Sequence, residues 1–199
     1  VSPSLLPGEI PVPSLPAHVG YGAVFQGGAR LLAPSADSLC VADHDLTFRL
    51  WVRWLGDTGQ DQVVFSKWDL GPDYDYHLRF KADDGHSLRW ILAGQVLAHP
   101  RATVPGEWLE VECWYQVVLG QMGIRVDGQE VWQDVPPGAL PLRSEGLLSL
   151  GLDVDGTLPL WGQAEQFGYW KRAHTDDERA FHANQGQGRN WRQIRKIIL

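Results

Sequence analysis

Residues 148–186 constrain the fold of this chain most, because a strand, an acidic turn, a second strand and a short helix follow one another there. In the second strand Phe167 and Tyr169 alternate with Gly168 and Trp170, which is the period-two pattern of a half-buried strand. This segment predicts a β-rich domain that closes with one short helix.

Thr175 and Glu178 mark the start of that helix. Thr-x-x-Glu is a capping box, in which each side chain satisfies a backbone N–H group that the first turn leaves free. The box predicts a helix of two or three turns over about 176–184, ending near Gly186.

Alternating side chains predict a meander of antiparallel strands in the rest of the chain. The clearest case is 46–55, where apolar side chains alternate with polar or charged ones. Asp127-Gly128 predicts a type I′ hairpin turn, and Asp83-Asp84-Gly85 predicts another turn. An opening strand with a glycine turn is predicted over 22–33 and a hairpin over 124–131, and further strands are predicted at 38–41, 62–68, 75–81, 87–93 and 108–118.

The polar sides of three predicted strands carry the candidate ligand-binding residues. Each side is charged, and two of them also carry tryptophan, whose ring can stack on a ligand and whose N–H seeks a partner. We predict one ligand-binding face that contains Arg49, Trp51, Arg53, His77, Arg79, Glu110, Glu112 and Trp114.

The overall charge and hydropathy exclude two classes of partner. A net charge of −7 argues against a general nucleic-acid binder, which needs a basic face to displace the counterions of phosphate. No apolar run approaches the roughly 18 residues of a membrane span, so no membrane partner is expected. Ten tryptophans indicate a stacked core, an interface or a sugar-binding platform, and composition alone does not separate these.

Both ends of the chain differ from its centre. Residues 1–20 form a proline-rich arm, 21–188 the domain, and 189–199 a basic tail with an apolar end. Proline fixes φ and lacks an N–H, so the arm is expected to be extended and unable to form a central strand. Its apolar residues predict contact with other chains, in a homo-oligomer or larger surface assembly. The tail 189–199 is also predicted to be an assembly element, with its basic residues against an acidic surface such as this protein's own sandwich, and a solvated terminal helix is the alternative.

Two acidic positions near the second strand are candidate metal ligands. Asp153 and Asp155 lie in one turn, and oxygen-rich turns suit a hard cation such as calcium, although an acidic turn is often simply solvated. Continuous alternation would place Glu165 on the same face as Phe167 and Tyr169, where its carboxylate needs an arginine, N–H groups or a cation. Calcium is therefore the one cofactor considered, with Asp153, Asp155 and Glu165 as ligands. No His or Cys spacing predicts zinc.

The closing segment resembles that of the laminin-G-like, concanavalin-A-like jelly-roll family. The matching positions are Leu150, Gly151, Pro159, Gly162, Glu165, Phe167, Tyr169, Trp170, Arg172, Thr175, Glu178, Asn184 and Gly186. Earlier matches follow in the family's order at 23–28, 46–54, 106–115 and 126–128, so the resemblance covers about 22–188. Glu165 replaces the family's usual Asp, and His174 replaces its usual Leu.

The resemblance implies an all-β fold, an antiparallel β-sandwich of the concanavalin-A-like jelly-roll type with one short C-terminal helix. It implies a non-enzymatic interaction module on an extracellular or virion surface, either a structural decoration or a component of a fibre or adhesin. A glycan-binding lectin domain is the alternative. The family often holds calcium at the rim of the sandwich.

A glucanase is the third alternative that the resemblance raises. Glu110 and Glu112 project from one face of a strand beside Trp108 and Trp114, and retaining glycosidases need two carboxyls roughly 5 to 5.5 Å apart. The family's catalytic row is E-x-D-x-E, whereas this chain has W-L-E-V-E-C-W at 108–114. The missing carboxylates predict that the chain is not an enzyme.

The two cysteines, Cys40 and Cys113, lie on different predicted strands. A disulfide would link the sheets of a secreted domain, and two free buried thiols are the alternative. In pentraxins, which the chain resembles, a disulfide joins roughly these two strands, but Cys40 lies several residues early.

Overall fold

The computed structural model describes residues 14–17, 20–36, 39, 44–68, 75–136 and 146–183. Within these ranges the chain forms thirteen strands and one α-helix. The strands are β1 Ser14–Ala17, β2 Gly20–Phe25, β3 Leu31–Ala33, β4 Leu46–Trp54, β5 Gln62–Lys67, β6 Tyr76–Lys81, β7 Ser87–Leu92, β8 Gln95–Ala98, β9 Leu109–Gln116, β10 Gln121–Val126, β11 Gln129–Asp134, β12 Leu148–Leu150 and β13 Gly162–Trp170, and the helix is α1 Asp176–Ala183.

The strands form two antiparallel sheets. One sheet has seven strands in the order β1-β2-β13-β4-β9-β10-β11, and the other has six in the order β3-β12-β5-β6-β7-β8. Every described strand pair is antiparallel. The prediction of an antiparallel β-sandwich with one short C-terminal helix is confirmed.

Aromatic rings fill the space between the sheets. Phe48 on β4 lies with its ring centroid 4.9 Å from that of Phe65 and 4.6 Å from that of Tyr76, and both of these residues belong to the opposite sheet. All three are fully buried. Truncating a buried phenylalanine to alanine typically costs about 3–5 kcal/mol, so this cluster is a main source of stability.

A β-bulge in β13 changes the side on which Glu165 lies. The register to β4 shifts between Glu165 and Gly168, and Gln166 in this interval has a left-handed φ of 54°. A bulge adds a residue to one strand and so reverses its alternation. Phe167 packs against the core, while Glu165 lies opposite Trp51 on the outer face. The prediction that Glu165 shares the face of Phe167 and Tyr169 is therefore wrong.

Part of the proline-rich arm extends the chain's own sheet. Residues Ser14–Ala17 pair with β2 at the edge of the seven-stranded sheet, with Pro16 opposite Tyr21. An edge strand tolerates proline because one of its sides needs no ladder hydrogen bonds. Residues 14–17 thus belong to the chain's own sheet, while contact of the arm with another chain stays a prediction, and 1–13 and 189–199 lie outside the described residues.

Several smaller expectations can also be compared with the structure. Strand β8 was not predicted; it follows the two-residue turn Ala93-Gly94, where both residues have positive φ as type I′ geometry requires. Of the strand predicted over 38–41, only residue 39 is described, and it lies in a 3-10 turn.

Cys113 is a free thiol in the core, where burial raises its pKa well above the usual value. Cys40 lies outside the described residues.

In the described part of the chain, no helix has both the length and the apolar character needed to cross a membrane.

Candidate functional site

The outer face of the seven-stranded sheet carries its polar side chains in rows that run across the strands. One row pairs Gln163 with Arg53, and the next places Glu165, Trp51 and Glu110 side by side. The third row contains Gly168, Arg49, Glu112, Arg125 and Glu130, and the fourth contains Trp170, Thr47, Trp114, Gly123 and Trp132. These rows define the surface on which a site can be built.

The structure splits the predicted ligand-binding face between two sheets. Arg49, Trp51, Arg53, Glu110, Glu112 and Trp114 share the outer face of the seven-stranded sheet. His77 and Arg79 belong to β6 in the other sheet. Alternation assigns a side chain to one side of its own strand but does not reveal which sheet the strand joins, so the prediction of one shared face is wrong.

Helix α1 contacts the third row through Glu112. Nδ1 of His174 lies 2.9 Å from Oε2 of Glu112, and Arg179 Nε–H donates to Oε1 at 2.7 Å. The Glu112 side chain is only 3% exposed. Burial opposes its ionisation, but the hydrogen bond from His174 and the positive charges of His174 and Arg179 outweigh burial, so the pKa of Glu112 is lowered. A carboxylate enclosed in this way has no room for a substrate.

The capping box fixes the start of that helix. The Thr175 N–H donates to Oε2 of Glu178 at 3.0 Å, and the Glu178 N–H donates to Oγ1 of Thr175 at 3.3 Å. Arg172 also pairs with Glu178. The hydrogen bonds from Arg172 and from the Thr175 backbone lower the pKa of Glu178 to about 2. The predicted capping box is confirmed.

His182, one turn after Arg179 on helix α1, packs on aromatic rings. The imidazole of His182 lies 5.3 Å from that of His174 and 5.5 Å from the Trp170 ring, measured between centroids. Burial lowers the pKa of His182 to about 4, and the charges of Arg49 and His174 act in the same direction. His182 is therefore neutral near pH 7 while helix α1 packs on the sheet.

Glu110, the other candidate catalytic carboxylate, is held by Arg49. The Nε–H and Nη2–H groups of Arg49 donate to Oε1 of Glu110 at 3.0 and 2.5 Å. Both side chains are largely buried, with 4% and 15% exposure. Glu110 and Glu112 thus form separate ion pairs.

The exposed end of this outer face carries a compact group that we call the Arg53 cluster, made of Arg53, Trp108, Trp161 and Gln163. Arg53 Nε–H donates to Oε1 of Gln163 at 2.8 Å. The guanidinium carbon lies 4.9 Å from the centroid of the Trp108 ring, which is a cation–π contact. The guanidinium is held from one side by an amide and from another by an aromatic ring.

Trp161 lies at the same end of the sheet and is 48% exposed. Its carbonyl accepts a hydrogen bond from the Leu55 N–H, which continues the ladder between β4 and β13. Leu160 and Ala164 are buried in the core, so alternation places Trp161 and Gln163 on the outer side. The ring is therefore an aromatic surface open to solvent, on the same face and at the same end of the sheet as Arg53.

Gly162 allows the close approach on which the cluster depends. A Cβ atom at this position would overlap the carbonyl oxygen of Arg53 on the paired strand. The absence of a side chain lets β13 approach β4 closely enough for Gln163 to reach Arg53.

The two displaced residues lie on the outer face of the six-stranded sheet. Nη1 of Arg79 lies 3.4 Å from Asp61, which also pairs with Lys81 at 3.2 Å. His77 is fully buried, and burial lowers its pKa to about 4 against the opposing charge of Asp153. Asp61 thus compensates the charges of Arg79 and Lys81, and burial favours a neutral His77, so these residues have a structural role.

The three predicted metal ligands are not brought together. Asp153 is buried and accepts the Trp68 Nε1–H at 2.9 Å, while Asp155 accepts the Thr157 N–H at 2.9 Å within its own turn. Glu165 lies on the outer face of the seven-stranded sheet. Among the described residues, no group of three or more His, Cys, Asp or Glu side chains is arranged to hold a metal ion. Asp153, Asp155 and Glu165 therefore do not form one calcium site in this structure. Whether the chain binds calcium elsewhere stays a prediction.

Sequence reasoning missed the partners that define both parts of this face. Trp161 and Gln163 were not among the predicted ligand-binding residues, although Leu160 to Ala164 alternates and would have placed both outward. His174 was noticed as a departure from the family's leucine, and the structure supplies the reason, since it pairs with Glu112. Nothing in the sequence signalled Arg179 as the second partner.

The chain belongs to the concanavalin A-like lectin/glucanases superfamily, because the model of that family matches residues 25–178. This confirms the resemblance on which the fold prediction was based. No curated protein matches the sequence significantly.

Solved structures share the fold at low sequence identity. Domains LG4-5 of the mouse laminin α1 chain match with a TM-score of 0.60 and 20% identity, over 88% of this chain and 48% of that one. A native heptameric SAP-like pentraxin from Limulus polyphemus matches with a TM-score of 0.52 and 14% identity, over 73% and 77%. Trypanosoma rangeli sialidase in complex with sialic acid matches with a TM-score of 0.66 and 15% identity, over 90% and 31%. The chain thus spans less than half of the laminin and sialidase chains, and these similarities show the fold alone.

Proposed function

We propose that this protein is a non-enzymatic interaction module that binds glycans through the Arg53 cluster. One observation carries the proposal: a guanidinium that Gln163 and Trp108 already contact lies on the same face and at the same end of the sheet as Trp161, whose ring is exposed. Sugar sites combine an aromatic surface for the apolar face of the ring with a few fixed polar groups for its hydroxyls. Membership in a lectin and glucanase superfamily supports the same class of ligand.

The state of the two glutamates supports a binding function over hydrolysis. A retaining glycosidase needs one carboxylate free to attack and another able to donate a proton. Glu112 is buried and held by His174 and Arg179, and Glu110 is paired with Arg49. Neither can serve without breaking a buried ion pair, which is costly.

A role in an extracellular or virion-surface assembly is the second part of the proposal. It rests on the apolar, proline-rich residues 1–13 and on the basic tail 189–199, both outside the described residues. The Limulus pentraxin, which has a similar fold, is heptameric, so the oligomeric state of this chain is worth measuring. Laminin-like relatives favour an extracellular location over an intracellular one.

The glycan proposal is tested on an immobilised glycan array with two single-tryptophan variants. Trp161→Ala should lose binding by about tenfold or more, since aromatic anchors commonly contribute 2 kcal/mol or more. Trp132→Ala is the matched control, because Trp132 is 57% exposed on the same outer face but lies in the fourth row. Wild-type protein that binds no glycan, or a control that loses as much as Trp161→Ala, would overturn the proposal.

A further inference from the structure

We infer that the Arg53 cluster selects acidic sugars, meaning sugars that carry a carboxylate or a sulfate, over their neutral counterparts. This inference rests on the proposed glycan-binding function and names the class of ligand that the site prefers. The charge of the Arg53 guanidinium and the N–H groups on its two Nη atoms support it.

The charge of Arg53 is not compensated as the charges of nearby arginines are. Arg49 pairs with Glu110, Arg179 with Glu112, and Arg101 with both Glu107 and Asp127. Arg53 instead contacts a neutral amide and an aromatic ring. Within the described ranges no carboxylate forms an ion pair with it. In a chain of net charge −7, a partly exposed cation without a carboxylate partner is an unusual feature.

The two neighbouring carboxylates do not neutralise this charge. Glu110 is two residues from Trp108 along β9, but Arg49 already occupies its Oε1 atom. Glu165 is two residues from Gln163 along β13, where it is buried opposite Trp51. The cationic end of the face is therefore open for an external anion.

The contacts that hold Arg53 leave its binding edge free. Gln163 accepts the Nε–H, and the guanidinium carbon lies over the Trp108 ring. The N–H groups on the two Nη atoms have no acceptor among the described residues. These groups form the fork that binds a carboxylate or a sulfate through parallel, charge-assisted hydrogen bonds. Because the side chain is already immobilised, little further entropy is lost when an anion binds.

Trp161 explains why the ligand is a sugar and not any anion. Its exposed ring lies on the same face and at the same end of the sheet as Arg53, two residues before Gln163 along the chain, so one extended sugar ligand can place an apolar ring face on the indole and an acidic group on the guanidinium. An acidic peptide offers the charge without the flat ring. It is the competing ligand that the experiment must exclude.

The experiment measures binding of paired probes by isothermal titration calorimetry. The first pair is tetragalacturonate and the corresponding neutral galactose tetramer, and the second is dextran sulfate and dextran. Wild-type protein should bind at least one acidic probe about tenfold more tightly than its neutral partner, a difference of about 1.4 kcal/mol. The first pair reports on carboxylates and the second on sulfates. The preference should shrink as salt is raised, because screening weakens exposed charge pairs.

Three variants separate this inference from the proposed function. Arg53→Gln should abolish the preference for the acidic probe while neutral binding persists, and Arg53→Lys should restore it only partly, because lysine lacks the fork. Trp161→Ala should weaken both members of a pair. Arg89→Gln is the control, since Arg89 pairs with Asp84 on the other sheet.

Each remaining outcome has one meaning. Equal binding of acidic and neutral probes by wild-type protein overturns the inference and leaves the glycan-binding proposal intact. Binding of poly-L-glutamate as tight as that of the acidic sugars also overturns the inference, because charge alone would then suffice. No binding of any sugar overturns both. Thermal melts of every variant establish that the fold is retained.

Discussion

The imidazole of His174 lies 2.9 Å from the carboxylate of Glu112, and this contact fastens helix α1 to the seven-stranded sheet. Arg179 binds the second oxygen of the same carboxylate, so one buried anion holds an imidazole and a guanidinium of the C-terminal segment. Loss of this anion would leave both groups buried without their partner.

The first prediction concerns that anion. Glu112→Gln keeps the shape of the side chain but removes its charge, and breaking a buried ion pair typically costs about 3–5 kcal/mol. We expect a fall of about 3 kcal/mol in the free energy of unfolding, measured by urea denaturation. Glu107→Gln is the control, because its pairing with Arg101 is more exposed and should cost at most about 1 kcal/mol. Equal losses in the two variants would show that Glu112 does not hold the helix.

Acid should destabilise the fold through groups whose pKa is lowered. Burial lowers the pKa of His182 and of His77 to about 4, so between pH 6.5 and 4 the unfolded chain binds more protons than the folded one. The free energy of unfolding should therefore fall as pH drops through this window. The lowered pKa of Glu112 extends the loss below the usual range of a glutamate.

Urea denaturation at several pH values checks this expectation. His182→Phe keeps an aromatic ring against Trp170 and removes one titrating group, so the slope between pH 6.5 and 4 should decrease, while His77 and His99, whose pKa values burial also lowers, keep it above zero. A slope that His182→Phe leaves unchanged would mean that His182 protonates as readily in the folded protein as in the unfolded chain.

Alternation predicted the outward residues of β4 and β9 because both strands keep an unbroken period of two, with no register shift between them. It failed at Glu165, because the strand forms a bulge at Gln166. This residue has a positive φ without being a glycine, so the sequence gives no local signal of the bulge. It also could not assign His77 to a sheet, because that depends on which strands pair, and pairing is a long-range property. The capping box located helix α1, but its docking on Glu112 is a tertiary contact with no local signal.

Gly162 tests the link between strand spacing and the site. In Gly162→Ala the new methyl group would meet the Arg53 carbonyl, so β13 must move away from β4 at a cost of about 1–3 kcal/mol. We expect lower thermal stability and weaker glycan binding together. Gly56→Ala is the matched control, because a Cβ atom there would have no neighbour within 4 Å. A Gly162→Ala protein that matched wild type in both measurements would show that strand spacing does not limit the cluster.

The chain should not hydrolyse β-glucans. The two glutamates nearest to a catalytic arrangement are engaged by Arg49, His174 and Arg179, and helix α1 covers one of them. Reducing-sugar release from a polysaccharide panel should stay at the level of buffer alone. Release that disappeared in Glu112→Gln would contradict this expectation, provided that the variant remains folded by circular dichroism.

The last prediction concerns the arm. Residues 14–17 pair with β2 of the same chain, so the part of the arm left for an assembly contact outside this sheet is the segment before them. Ordering an apolar, proline-rich segment costs conformational entropy, and burial against a neighbouring chain would offset that cost. We expect deletion of residues 1–12, which leaves β1 intact, to lower the mass measured by light scattering. Deletion of 189–199 tests the basic tail in the same way, and unchanged mass in both truncated proteins would show that neither end joins subunits.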